Sequence, residues 1–371
     1  MNRIYNSLIK SIGALALTGL AACDYIHDDS LEPCEYRLRL VYDYNMKFAD
    51  AFGHEVTKAA LFICDNKGNF IRRQDIEGAE LKANDIAMDL KPGTYQVLTW
   101  AGLDDSSYQW PELTPGSSTI EEIRVKTLRE ADATQPNELT PLWHALDTLV
   151  VTGDRHEEKE ISLAKNTNKL RVVLQDTEGY SMDVRDFSFR IVADNGYMDY
   201  DNALLDDPAI TYLPYHTESV DIAAGADDDD LINGKPANQY VAVAELNTMR
   251  LMAGENYRLI VRHKDWEDDV LNVNLNQYLL LTQMEGHNIS AQEYLDRQDE
   301  YSIVFFLTPI VCPDCPDPEP DPEPEPEPDP DPKPDPDPDP EIPEPDVPIV
   351  GYACYKIQVK DWIIRINSGE L

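Results

Sequence analysis

The chain has 371 residues, a hydrophobic content of 42% and a formal net charge of −39. That length allows one to three domains, with two the natural expectation, and the apolar content suffices for real cores. The acidity argues against nucleic acid as a partner, because phosphate binding needs clustered Lys and Arg, and against a position flat on an anionic membrane surface.

Arg3 and Lys10 precede an apolar run at 15–20 that ends in Leu20-Ala21-Ala22-Cys23. A charged start, a short apolar stretch and small residues at a cleavage point make a secretory leader, and the stretch is too short to span a bilayer. A Cys directly after Leu-Ala-Ala resembles the bacterial lipoprotein box, in which the Cys is lipidated and becomes the first residue of the mature chain. Residues 1–22 are expected to be the signal peptide and Cys23 the lipidation site. One acyl chain anchors only marginally, at about 0.8 kcal/mol per buried CH₂, so firm anchoring takes the two or three chains of such lipoproteins. Residues 23–33, with Asp24, Asp28, Asp29 and Glu32, read as a flexible tether.

A first β-sandwich is expected over residues 34–165. Tyr36, Leu38, Leu40, Tyr42 and Tyr44 alternate with their neighbours at period two, the pattern of a half-buried strand. Residues 59–64 form a continuous apolar run, and Asn66-Lys67-Gly68-Asn69 turns the chain into Phe70-Ile71 as a hairpin. Lys91-Pro92-Gly93 leads into a strand at 95–100. Residues 120–128 and 160–163 give weaker strand signals, and the Ser/Pro/Thr-rich stretches near 104–119 and 131–141 read as loops.

A second sandwich is expected over residues 166–371. Leu170, Val172 and Leu174 alternate, as do Phe187, Phe189 and Ile191, and 240–244, 257–261 and 301–307 read as further strands. Ser290-Ala291-Gln292-Glu293 is a capping box opening a helix, and 275–281 reads as a second short helix. From 313 to 348 proline alternates with Asp and Glu. Proline fixes φ and removes donors, and the charges repel, so this insert is a stiff polyproline-II or disordered spacer with a contour of ~110 Å. Residues 349–366 read as strand again, with a parity switch at Lys360-Asp361 that predicts a bulge or tight turn. Short strands between turn signals predict an all-β chain of two sandwiches rather than a parallel α/β sheet.

No catalytic motif is present. His156, beside Glu157 and Glu158, reads as a strand start. The acids at Asp227, Asp228, Asp229 and Asp230 do not alternate as calcium ligands do. Asp194, Asp199 and Asp201 around Asn195-Gly196 read as a hairpin loop, with calcium the alternative. No metal and no cofactor is expected. Of the 6 Cys, Cys312 and Cys315 form C-x-x-C, but a proline spacer follows where redox chemistry needs a helix. A disulfide from Cys312 or Cys315 to Cys354 would staple the neck of the insert and stabilise it by several kcal/mol; free thiols are the alternative. Cys34 and Cys64 could also pair if their strands are neighbours.

Taken together, several stretches carry a resemblance. They are the lipobox through Cys23, the run from Cys34 through Tyr36 and Tyr44 to Asn45, then Ala60-Leu61-Phe62-Ile63-Cys64-Asp65 with Gly68-Asn69-Phe70. Leu90-Lys91-Pro92-Gly93-Thr94-Tyr95, Thr99-Trp100-Ala101-Gly102, Phe189-Arg190-Ile191 with Asn195-Gly196, Gln292-Glu293-Tyr294-Leu295-Asp296, Tyr301 to Phe306 and the closing Trp362 to Asn367 complete the set. In order and spacing the chain resembles the fimbrial anchor subunits of Bacteroidota, the FimB/Mfa-type lipoprotein family. The resemblance implies two tandem transthyretin-like β-sandwich domains. It further implies a lipid-anchored, surface-exposed outer-membrane protein that holds the base of a fimbria and limits its length. The implied partners are fimbrial shaft subunits, which polymerise by adding a strand of one subunit to the sheet of the next. The insert departs from that pattern and raises the question of whether the last strand packs at home or enters a partner; the home reading, with the insert as an outward loop, is favoured because losing a core strand is costly. The alternative function is a surface glycan-binding lipoprotein of a polysaccharide-uptake system, with Tyr108 and Trp110 as the nearest aromatic platform. An enzyme is the weakest reading, and no small-molecule substrate is expected.

Overall fold

The computed structural model describes residues 35–222, 231–232, 235–236, 239–284, 288–312, 348–359 and 362–365. The leader, Cys23, the tether, Cys34, the acidic run at 227–230, Cys315 and the rest of the insert lie outside them.

The N-terminal half forms β1 (Tyr36–Val41), β2 (Ala59–Asp65), β3 (Phe70–Ile76), β4 (Ile86–Met88), β5 (Gly93–Ala101), β6 (Tyr108–Gln109), β7 (Val125–Thr127), β8 (Thr134–Gln135), β9 (Trp143–Val151), β10 (Glu157–Ser162) and β11 (Ala164–Lys165). The C-terminal half forms β12 (Thr167–Asp176), β13 (Phe187–Ala193), β14 (Tyr197–Met198), β15 (Ile210–Tyr212), β16 (His216–Asp221), β17 (Leu231–Ile232), β18 (Lys235–Pro236), β19 (Tyr240–Met249), β20 (Arg258–His263), β21 (Asp269–Asn274), β22 (Glu300–Val311), β23 (Ile349–Val359) and β24 (Trp362–Arg365). The chain is all-β. In the first half a three-stranded sheet β10-β1-β4 faces a five-stranded sheet β11-β9-β5-β2-β3, and in the second a six-stranded sheet β16-β19-β12-β22-β23-β24 faces a five-stranded sheet β21-β20-β13-β15-β8.

Strand β2 explains how the halves join. Its apolar run is buried on both faces, as a continuous run predicts. Leu61 and Ile63 face Leu38, Leu40 and Ile161 inside the first sandwich. Ala60, Phe62 and Cys64 face the other way, into a larger core that also holds Trp100, Val172, Ile191, Ile303 and Phe305. One apolar core therefore runs from the outer face of the first sandwich through the interior of the second.

The stretches expected to be loops stitch that seam. Strand β8 pairs in parallel with β15, and β6 and β7 build a small sheet with β14. Strands β6 and β8 have two residues each, too short to carry a periodic signal, which is why their stretches read as loops. Part of the expected strand at 120–128 is a 3₁₀ turn, Ile120–Glu122, closed by a capping box between Thr119 and Glu122. At the one box expected from the sequence, Ser290 accepts from the Glu293 backbone N–H at 3.1 Å, opening the helix Ala291–Arg297. Glu293 does not reach back; it takes Arg297 at 2.8 Å, one turn on.

The chain after the insert packs at home. Strand β23 pairs antiparallel with β22 from Ile303↔Val359 to Val311↔Ile349, and a hairpin carries it into β24 with Val359 opposite Trp362. The Cys312 N–H donates to the Pro348 carbonyl at 3.2 Å, so the chain leaves and re-enters at one point.

Candidate interaction surface

The expected chemical sites resolve into structural roles. His156 Nδ1 accepts the Glu35 N–H at 3.3 Å. Asn195 is fully buried, its amide donating to Thr248, Met249 and Arg250 and its carbonyl accepting from Tyr212 at 2.9 Å. Asp199 pairs with Arg124 at 3.1 Å, and Asp201 accepts the Ala203 N–H. Among the described residues no group of three or more His, Cys, Asp or Glu could hold a metal, and no helix is long and apolar enough to cross a membrane.

Two cysteine expectations are corrected. Cys312 is disulfide-bonded, but Cys354 and Cys64 are both free and buried. The staple to Cys354 therefore does not form. Cys354 lies opposite Leu307 while the neck closes at Val311↔Ile349; that separation along the strand is about 15 Å, beyond the ~6 Å between the Cα atoms of a disulfide. Burial pushes the Cys354 thiol up to about 12 and the Cys64 thiol up to about 11, so neither is a ready nucleophile.

The expected aromatic platform does not form either. Tyr108 is buried in the large core. Trp110 is half-buried between two clefts of about 490 and 470 Å³. The Arg73 guanidinium lies 5.6 Å from its ring centroid. The cations lining these clefts are paired within the chain, Lys58 with Asp104, Arg73 with Asp75 at 2.6 Å, Arg124 with Asp199 at 3.1 Å and Lys126 with Asp207 at 2.6 Å.

What the structure offers is a molecule with two unlike ends. At the junction, Lys165 bridges Glu55 at 2.9 Å and Asp299 at 2.5 Å. Burial opposes its charge, but the two carboxylates outweigh that and hold the ammonium above its usual value. The Arg297 guanidinium packs 4.1 Å from the Tyr44 ring centroid and 4.6 Å from that of Phe48. Phe48 sits at φ 50°, a costly conformation for a large side chain, held by this cation–π contact. Arg250 grips Asp296 with two bonds of 2.7 and 2.8 Å. His144, also buried here, meets the Tyr200 carbonyl at 2.8 Å, and burial lowers it to about 4. None of these contacts has a local sequence signal, since each joins residues far apart in the chain.

From this junction the strands run outward. Strand β1 ends beside it, through Tyr42 and the loop to Arg297, so Glu35 lies at the far pole of the first sandwich, with Gly93 and Val151. Strand β22 begins beside it at Glu300 and runs 12 residues to Val311, roughly 40 Å at an ordinary strand rise. The insert leaves and returns at that far pole of the second sandwich. The six-stranded sheet keeps two open edges, β16 and β24.

The sequence profile of the fimbrillin-A associated anchor proteins Mfa1 and Mfa2 matches residues 31–368. A candidate polysaccharide-binding protein of Bacteroides thetaiotaomicron is 30% identical, with 90% of this chain and 99% of that one aligned at a TM-score of 0.70. A candidate adhesin of the same organism is 30% identical, with 91% and 100% aligned at 0.69. The fimbrial anchor protein Mfa2 from Porphyromonas gingivalis shares the fold at 16% identity, with 90% and 99% aligned and a TM-score of 0.60. No curated protein sequence matches the chain.

Proposed function

The chain belongs to the family of fimbrillin-A associated anchor proteins, and on that premise we propose that it is an outer-membrane lipoprotein, tethered through Cys23, that holds the base of a fimbria and limits its length. The two-ended architecture carries this reading. The tether joins the first sandwich at Glu35, at one pole, and the junction contacts make the sandwiches one stiff body that lifts the second pole away from the membrane. The fibre subunit docks on the second sandwich, by strand addition at an open sheet edge. Its terminal position in the fibre stops growth at the base. No catalysis is part of this role.

The test is co-purification. The full chain, carrying a tag in the insert, is captured from detergent-solubilised envelopes of cells bearing fibres. The proposal requires polymerising β-sandwich subunits in the eluate, and a Cys23→Ser chain should leave the membrane fraction. Recovery of an outer-membrane sugar transporter without any fibre subunit would contradict it.

A further inference from the structure

The far pole of the second sandwich ends in an aromatic cluster at the margin of the core, against which Phe187 and Tyr352 pack. The His263 and Trp266 rings stack at 4.0 Å, and Phe187 meets His263 edge-on at 5.2 Å. Tyr352 closes the group, 5.4 Å from Trp266 and 6.1 Å from Phe187. These rings close the mouth between the two sheets, Phe187 and His263 from one and Tyr352 from the other, and all four are only partly buried. At the same pole, on the ends of β22 and β23, Ile310, Val311 and Val350 are 50%, 43% and 48% exposed. A bulge at Ile310/Val311 accompanies them, the device that twists a strand end out of regular pairing. Single exposed aliphatics are ordinary, but three gathered on the strand ends of the pole that also carries four partly buried rings give that pole an apolar character, and exposed apolar ends of this kind mark interaction surfaces.

The charges around it say what fits. Asp265, Glu267 and Asp268 are exposed on the adjoining loop, and the lysine among them, Lys264, is taken by Asp186 at 2.7 Å. An apolar centre in an acidic surround matches a partner with the reverse pattern.

We infer that this pole, centred on Trp266, Tyr352, Ile310 and Val350, is a second docking surface for the basal fibre subunit beside the strand-addition edge, and that the subunit meets it with an apolar patch ringed by Lys and Arg. This deepens the anchor reading and rests on it. The acidic field speeds encounter, and the apolar centre sets residence time.

Fibres sheared from cells and immobilised serve as the probe, with detergent-solubilised full chain as the analyte. Wild-type chain should bind, and raising salt from about 0.1 to 0.5 M should weaken it several-fold, because exposed charges are screened. Ile310→Asp with Val350→Asp should weaken binding at least tenfold, and Trp266→Ala should do so independently. The control is Val150→Asp, on an equally exposed valine (57%) of β9 toward the opposite pole, which should bind as wild type. Both aspartates replace exposed side chains, and urea midpoints matching wild type confirm that the variants fold. Unchanged binding by both pole variants, with wild type binding, overturns the docking surface and leaves the anchor reading standing. Failure of the wild type to bind fibres at all overturns both.

Discussion

Replacing Ile357 by alanine tests whether the chain after the insert belongs to its own sheet. Ile357 is fully buried on β23, opposite Phe305 on β22, within the large core. The substitution removes three carbons, about 2.5 kcal/mol of transfer energy. The cavity left between two sheets adds to that, and the measured range for such truncations is about 2–5 kcal/mol. At an ordinary urea dependence this moves the midpoint of the transition that unfolds the large core by about 1 M or more. Tyr355→Ala is the matched control, because Tyr355 is 51% exposed on the same strand and its loss should cost within about 0.5 kcal/mol. Urea unfolding followed by tryptophan fluorescence reads both. If Ile357→Ala shifts the midpoint no more than Tyr355→Ala, β23 is not part of this sheet in solution, and the description of the insert as a loop closed at its neck fails.

Two further outcomes follow from the junction. Burial lowers His144 to about 4, so between 6.5 and 4 the unfolded chain takes up a proton that the folded chain resists. Stability is fully present above pH 6.5 and falls by about 3 kcal/mol as pH drops to 4; His144→Gln, which keeps a donor toward Tyr200, should lose that much less over the same window in paired urea titrations. The Arg250 and Asp296 side chains are 16% and 8% exposed, so Arg250→Met strands a buried carboxylate and should cost about 3–5 kcal/mol in thermal or urea melts, whereas adding Asp296→Leu should restore most of it.

Local order was legible in the sequence wherever one residue's neighbours decide its state. The alternation from Tyr36 to Leu40 reports one buried face, and Gly68, at φ 84°, turns the hairpin with Asp65 accepting from the Lys67 and Asn69 N–H groups. The Ser290 cap is of the same kind. The apolar run of β2 announced burial on both faces, but only the fold says that the second face belongs to the other sandwich. Strands β6 and β8 were hidden because two residues have no period.

The surface argued to bind the fibre was hidden for a different reason. Phe187, His263, Trp266 and Tyr352 come from three strands and a loop, brought together by two sheets closing on each other. No window of sequence contains them. The neck of the insert was half legible: the return of the last strand followed from its apolar residues, while the choice of disulfide partner depended on register. Register places Cys354 opposite Leu307, and an apolar alternation leaves that offset open.

The most direct test of the anchor account is to remove this chain from the cells that make it and follow the fibres. Fibre length and the fraction shed into the medium are scored by electron microscopy, with a strain carrying wild-type chain and one carrying Cys23→Ser alongside. The account predicts longer fibres, most of them free of cells, in the deletion and the Cys23→Ser strains, and recovery with the wild-type chain. Fibres of unchanged length still attached to cells lacking the chain would contradict it.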